Sequence, residues 1–332
     1  MVNATRRAGL VAWVAWLETA CAVLDDVAPR ADLRKASLGA TPMLTPWLTL
    51  SGGWRGAPIA ATSLEPAPVR PILGQPARVN FLQPLELAAR DDILWVADAG
   101  LRHVFRVDRA RDLATPMATL SGNRALAMHA SPNGAVWIAD AATGQIRMMD
   151  RDGRPVHVWQ NVELASRPVG LAMLPGEGGE VFVADAQMAH VVVFDVFGRA
   201  LRRFGKGRLQ SVAAMAAGPG GLFVLDRLAQ QVLVFDRSGQ LQGMLGSTSL
   251  VMPGAIAVDR TARVFVSDEA DGAIHAFVAG EHVARYSSAE LRVSRIDAIA
   301  VDGNLLFVAD ALTGRVQILL IAPESLRSPS PP

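Results

Sequence analysis

The stretch "VFVADAQMAHVVVFD", Val181 to Asp195, contains an apolar run that ends in aspartate, a short turn and a second apolar run. Two such runs around a turn predict a pair of antiparallel β-strands. The phrase occurs six times, and its aspartates are Asp98, Asp140, Asp185, Asp226, Asp268 and Asp310. The sequence numbers of successive aspartates differ by 42, 45, 41, 42 and 42. A nearly fixed period in this range indicates a repeat architecture.

Each of the first five repeats predicts four strands. A strand of small residues, such as "VGLAM" or "GAIAV", precedes the strand that ends in aspartate, and a third and a more polar fourth strand follow. Four short strands in a unit of roughly 40 residues are typical of a β-propeller blade. The sixth repeat stops after three strands, and "VRPILG", Val69 to Gly74, resembles the missing fourth. We therefore expect an all-β fold: a six-bladed β-propeller of four-stranded antiparallel blades over residues 66–322, its ring closed by an N-terminal strand completing the last blade.

The segment 1–24 predicts an export signal or a lipoprotein-type anchor. Arg6 and Arg7 precede an uncharged apolar run from Ala8 to Leu17, and Ala20-Cys21-Ala22 fits a cleavage site. The segment also resembles a bacterial lipoprotein signal, which would lipidate Cys21. Either alternative places the rest of the chain outside the cytoplasm, in the periplasm or anchored to a membrane through the N-terminus. Residues 25–65, with scattered Pro and Gly, predict a linker, and residues 323–332 a disordered tail.

The third repeat, "RPVGLAMLPGEGGEVFVADAQMAHVVVFD", and the fifth resemble the NHL repeat of exported bacterial propellers. The resemblance covers about three quarters of the chain and implies the propeller fold. It leaves the function open, because this fold serves lyases, lactonases and binding platforms alike.

The repeated aspartate predicts a structural role. An aspartate at the end of a strand can accept backbone N–H groups of the next turn, and all six blades need such a turn. Catalysis in a central channel needs different groups that converge, so functional residues are expected where the repeats differ.

The first strand of each blade is expected to line the channel. Its aligned positions are Glu86, Ala125, Gly170, Ala213, Ala255 and Ala298, so Glu86 is the only carboxylate of this set, and Asp297 lies one residue earlier in the last blade. His103 and His190 each follow the repeated aspartate by five residues. Propeller lyases of the peptide-amidating type are similar in fold and use channel histidines to bind zinc. Glu86, His103, His190 and Asp297 are therefore the candidate catalytic residues.

A metal site is not expected at the two histidines, because the other blades offer no third histidine there and zinc needs three or four ligands. Zinc or calcium remains the cofactor of the enzymatic alternative. His275, on a third strand, is interpreted as a surface residue.

The stretch "GRALRRFGKGR", Gly198 to Arg208, is a candidate binding surface with five basic residues: Arg199, Arg202, Arg203, Lys206 and Arg208. It suits an anionic glycan or an acidic envelope protein. Nucleic acid is not an expected partner, since the net charge is +1 and the chain carries an export signal.

The first functional hypothesis is an exported, non-catalytic NHL-repeat propeller that acts as a protein- or glycan-binding scaffold in the cell envelope, without a cofactor. Two alternatives stay open: a metal-dependent propeller lyase or lactonase with its site at the central channel, and a small-ligand sensor. The oligomeric state and the identity of the partner also stay open.

Overall fold

A computed structural model of the chain describes residues 42–55, 78–121, 126–160, 167–174 and 179–323. These residues form an all-β, six-bladed propeller. Three strands come before the first complete blade: β1 (Leu44–Leu50), β2 (Gly52–Arg55) and β3 (Arg78–Asn80). Blade 1 contains β4 (Pro84–Arg90), β5 (Ile93–Asp98), β6 (His103–Asp108) and β7 (Leu113–Thr119). Blade 2 contains β8 (Leu126–Ala130), β9 (Val136–Asp140), β10 (Gln145–Met149) and β11 (Pro155–Gln160).

The remaining blades repeat this order. Blade 3 contains β12 (Pro168–Met173), β13 (Val181–Asp185), β14 (His190–Phe194) and β15 (Ala200–Phe204). Blade 4 contains β16 (Val212–Gly218), β17 (Gly221–Asp226), β18 (Gln231–Phe235) and β19 (Leu241–Leu245). Blade 5 contains β20 (Pro253–Val258), β21 (Val264–Asp268), β22 (Ala273–Val278) and β23 (Glu281–Ser287). One helical turn, α1 (Ser288–Leu291), leads to β24 (Ala298–Asp302), β25 (Leu305–Asp310) and β26 (Arg315–Ile321) of blade 6.

The blades pack into a closed ring. The first strands of neighbouring blades contact each other all the way round, from β4 through β8, β12, β16 and β20 to β24, and β24 contacts β4 again. Among the described residues no helix is long and apolar enough to cross a membrane.

The hydrophobic core lies between the blades. It consists of six clusters, and each one combines side chains from two neighbouring blades. Every blade contributes one buried aromatic residue three positions before its repeated aspartate: Trp95, Trp137, Phe182, Phe223, Phe265 and Phe307. The second strands are buried on both faces, which explains why they read as continuous apolar runs.

An N-terminal strand closes the ring, as the sequence predicted. The strand is β1, Leu44–Leu50, which pairs antiparallel with β26 and supplies the fourth strand of blade 6. Its assignment to Val69–Gly74 was wrong, because β1 occupies that place, and residues 69–74 lie outside the described residues. The segment was interpreted as linker because of its prolines, yet Pro46 lies at a register shift of an outer strand. An outer strand tolerates proline there because no ladder donor is needed.

Blade 1 is wider than the repeat predicts. β2 lies parallel to the outer strand β7, and β3 pairs antiparallel with β2, so this sheet has six strands. Residues 44–55 thus form strands of the propeller, within the range that the sequence analysis assigned to a linker.

The repeated aspartates connect parts of the chain that are distant in sequence. All six are buried. In blade 4 the Asp226 carboxylate accepts N–H groups from Gln210 (2.6 Å) and Ser211 (3.1 Å), which precede the first strand, and from Ala229 (3.0 Å) in the turn that follows. Such a carboxylate therefore joins the segment that leads from the previous blade into this one, here called the crossing, to the turn that follows its own strand.

Closure by β1 predicts different effects for two leucines of the same strand. Leu44 is buried in the core between blades 5 and 6, whereas Leu48 is 46% exposed. We expect Leu44→Ala to lower the free energy of unfolding by about 2–4 kcal/mol and Leu48→Ala by less than about 0.5 kcal/mol, as measured by urea denaturation. Equal effects would contradict closure of the ring by this strand.

Candidate functional site

A cavity of about 300 Å³ lies on the axis of the ring, where the first strands begin. The first strands of all six blades line it, and the predicted channel positions Glu86, Gly170, Ala213, Ala255 and Ala298 are among the lining residues. Ala125 lies outside the described residues. The small side chains leave the space open, and Gly170 is required for packing, since a Cβ there would lie 2.7 Å from the Cβ of Met215.

Glu86 lines this cavity, and the pKa of its carboxyl group is strongly raised. Its half-buried side chain reaches from β4 towards β8 of blade 2. Burial raises its pKa to about 8, although backbone N–H groups of Leu87 and Met128 bind the carboxyl group and oppose the rise. Glu86 therefore keeps its proton at neutral pH and can act as a hydrogen-bond donor.

Asp297 also lines the cavity, but its carboxylate is already engaged. Oδ1 lies 2.7 Å from a guanidinium nitrogen of Arg295, and Oδ2 accepts the N–H of Ala311 at 2.8 Å. The structure thus brings Glu86 and Asp297 to one cavity. Asp297 forms a salt bridge with Arg295, whereas Glu86 forms none with a described residue.

A third carboxylate in the cavity is Asp140, which the sequence analysis treated as one of six equivalent turn residues. It is 2% exposed, and its Oδ1 accepts the N–H of Ala142. Its Oδ2 has no hydrogen-bond partner in the described part of the chain, and the nearest cation, Arg147, is 3.9 Å away. The residues that donate to Asp98 and Asp226 lie 16 and 15 positions before the aspartate, and the corresponding positions in blade 2, 124 and 125, lie outside the described residues.

His103 and His190 lie away from the cavity. Each begins the third strand of its blade, two strands out from the axis, and neither lines the cavity. His103 Nδ1 lies 2.9 Å from the carbonyl oxygen of Leu101, and His190 is buried beside Asp185. Over the described ranges no three His, Cys, Asp or Glu side chains are placed to hold a metal ion together.

His275 is buried rather than at the surface, which corrects the sequence interpretation. Its ring lies 3.1 Å from His282 and 3.2 Å from Asp271, whose carboxylate also binds Arg285 at 2.5 Å. The outer strand of blade 5 covers it, a contact that the period of the repeat does not reveal. Burial and then the neighbouring His275 lower the pKa of His282.

The five basic residues predicted as a binding surface differ in their contacts. Arg199 binds Asp195 at 2.6 Å, in the turn between the third and fourth strands, and Arg202 forms an ion pair with Glu180. Arg203, on the outer strand, and Lys206 and Arg208, in the crossing to blade 4, are exposed. Arg199 is exposed as well, with 77% of its side-chain surface accessible, whereas Arg202 is partly buried.

Six of the fifteen large apolar side chains exposed in the described residues lie on one face of the ring, and eight lie on the outer strands of the blades. Antiparallel order places the turns after the repeated aspartates and the crossings into the first strands on the same side, here called the cavity face. This face carries six large exposed apolar residues: Leu82, Met188, Leu228, Val251, Met252 and Leu312. In the described turns of the opposite face only Phe197 is comparably exposed. These side chains come from blades 1, 3, 4, 5 and 6, so a partner that docks on the cavity face would meet apolar contacts from several blades.

The raised pKa of Glu86 predicts a pH-dependent stability. The folded state keeps this proton up to pH 8 or so, whereas the unfolded chain releases it near pH 4.5, so the free energy of unfolding falls as pH rises between these values. Relative to Glu86→Gln, we expect the wild-type protein to lose about 2–4 kcal/mol between pH 5 and pH 9 in urea denaturation. The exposed Glu281→Gln serves as control, and parallel profiles for wild type and Glu86→Gln would contradict the prediction.

Comparison with known proteins shows the fold. No protein-family model matches the chain, and none of the curated proteins matches it. Virginiamycin B lyase from Staphylococcus aureus is 13% identical, with 73% of this chain and 96% of the lyase covered and a TM-score of 0.55. A chain of a nidogen/laminin complex is 13% identical, with 67% and 88% covered and a TM-score of 0.55.

A structural genomics protein of unknown function from Bacteroides thetaiotaomicron is 11% identical, with 74% of this chain and 71% of that chain covered and a TM-score of 0.60. At such identities the likeness concerns the fold alone. The chain shares the six-bladed propeller with a lyase and with a protein that takes part in a protein complex.

Proposed function

We propose that this chain is an exported, non-catalytic propeller of NHL type that binds a protein partner in the cell envelope through its cavity face. The observation that carries the proposal is the set of six apolar side chains exposed on that face. Leu228 and Leu312 are each 68% exposed, so they contribute little to folding and are free to contact a partner.

The backbone that presents these side chains is held in place. The Asp268 carboxylate accepts the N–H groups of Val251 and Met252, and Asp98 accepts the N–H of Leu82. A partner that docks on fixed turns does not have to order them, which lowers the entropic cost of association.

The partner suited to this face is an acidic protein with an apolar contact patch. Lys206 and Arg208 lie in a crossing on the same face, where they would meet carboxylates of the partner. The exposed leucines favour a protein over a glycan, because aliphatic tips gain from burial against an apolar surface.

Site-specific photocrosslinking tests the proposal. A photoreactive residue in place of Leu228 or Leu312 is expected to give one discrete protein adduct in cells that export the chain. The same residue in place of Phe197, exposed on the opposite face, should give none. We expect Leu228→Ser to abolish the Leu312 adduct while shifting the melting temperature by less than about 2 °C, since exposed positions contribute little stability. Adducts equal on both faces, or absent, would contradict the proposal.

Export is a separate part of the proposal and rests on the sequence of residues 1–24, which lie outside the described residues. If Cys21 is lipidated, Cys21→Ser should move the protein from the membrane fraction to the soluble periplasmic fraction. Wild-type protein found in the soluble fraction would indicate a cleaved signal instead. Protein retained in the cytoplasm in both cases would contradict export.

A lyase or lactonase is the second candidate, and the observation that favours it is Glu86. A carboxyl group with a pKa near 8 in a cavity suits general acid–base chemistry. Elemental analysis of the purified full chain tests the metal-dependent form. About one equivalent of zinc or calcium, lost in Glu86→Gln, would favour the enzyme over the binding platform.

A further inference from the structure

We propose that His275 and His282 of blade 5 bind one copper(II) ion. The site lies between β22 and β23, so it goes beyond partner docking on the cavity face. Two imidazole nitrogens, Nδ1 of His275 and Nε2 of His282, face each other there at 3.1 Å. The described residues contain no group of three His, Cys, Asp or Glu side chains placed to hold a metal ion, so water would supply the remaining ligands.

A bulge in β23 brings the two histidines to the same face of the sheet. His275 pairs with Arg285, so an unbroken ladder would place Val283 opposite Phe277 and would turn His282 to the other face. The register shift places His282 opposite Phe277 instead. Side chains two residues apart on a strand share a face, so His282 reaches the ring of His275 beside Phe277.

This histidine pair is a departure of blade 5 from the repeat. The same register shift occurs in blades 3 and 4, where apolar residues stand at the two positions. These residues are Val192 and Ala200 in blade 3, and Leu233 and Leu241 in blade 4. The bulge is thus common to these blades, whereas two facing imidazole groups are a property of blade 5 among the three.

The far side of each ring faces an acceptor. His275 Nε2 lies 3.2 Å from the carboxylate of Asp271, and the backbone carbonyl group of Ala284 attracts the N–H of His282. Each neutral ring therefore carries its proton on the far nitrogen, and the lone pairs of the near nitrogens face each other. Two lone pairs at this distance repel unless a cation lies between them, either a shared proton or a metal ion.

The geometry suits a metal ion. Imidazole nitrogens bind first-row metals at about 2.0–2.1 Å, which places two of them at an angle of about 90–110° roughly 2.8–3.4 Å apart. The carboxylate of Asp271 behind His275 is the kind of contact that orients metal-bound histidines. Asp271 also offsets the charge of Arg285, which it binds at 2.5 Å. His275 is buried and His282 is exposed, so an ion can enter from solvent and keep its water ligands.

Copper(II) is the metal that this ligand set favours. Copper(II) binds a given site more tightly than the other divalent first-row metals, and it accepts tetragonal sets of nitrogen and oxygen ligands. Zinc sites use three or four protein ligands, so two histidines hold zinc more weakly. A bound ion would link β22 to β23, the strand whose Tyr286 hydroxyl group accepts the N–H of Met43 beside the closing strand β1.

Calorimetric titration of the full chain with copper(II) chloride tests the inference, in a Cys21→Ser background so that the thiol does not bind copper. We expect saturable 1:1 binding and an electron paramagnetic resonance spectrum of tetragonal copper with two imidazole nitrogens. His282→Gln should weaken binding at least tenfold and still fold well, because His282 is exposed. Asp271→Asn should weaken binding about tenfold, since it leaves the ring of His275 less well oriented.

The matched control is His157→Gln, which removes a histidine from the outer strand of blade 2. It should leave the copper affinity and the spectrum unchanged. Absent copper binding would overturn the inference and leave a shared proton between the two rings. Binding unchanged by His282→Gln, or zinc bound as tightly as copper, would overturn it as well. Photocrosslinking at Leu228 reports on partner docking separately, so either proposal can fail without the other.

Discussion

The buried carboxylate at the end of each second strand is the interaction on which this propeller depends. A blade shares no backbone ladder with its neighbours, so the crossing from one blade to the next must be fixed by other means. In four blades the aspartate does this, because it accepts N–H groups of the crossing and of the following turn with one side chain. Charge-assisted bonds in a dry environment are strong, and they make the turns of the cavity face rigid.

The fixed turns of this face connect the fold with the proposed function. The N–H groups of Val251 and Met252 donate to the Asp268 carboxylate, while the side chains of both residues are exposed. The same network lies at the mouth of the cavity, which Asp140 also lines. One structural device therefore fixes the turns that present the exposed apolar side chains of this face.

The closure of the ring follows from a different constraint. Blade 6 has three strands from the C-terminal repeat, and β26 needs a partner for its outer edge. β1 supplies it, and the contact is fixed by Met43, whose N–H donates to the Tyr286 hydroxyl group at 2.8 Å and whose carbonyl oxygen accepts the N–H of Ala322. The two ends of the propeller are thus joined by hydrogen bonds and by the burial of Leu44.

The sequence by itself determined the number of blades, the order of strands within them and most of the cavity lining. These features repeat, and a period of roughly 40 residues with one aspartate and one aromatic residue per unit can be recognised without coordinates. Glu86 could be found in the same way, as the one carboxylate among small residues at an aligned position.

Only the tertiary structure decided which N-terminal segment closes the ring, where His275 lies, and which basic residues of blade 3 form ion pairs. Each of these depends on a contact that the repeat period does not report: β1 with β26, His275 with His282 on the neighbouring strand, and Arg202 with Glu180. A repeat reports what all units share, whereas burial and pairing at one site depend on the neighbours that the fold brings there.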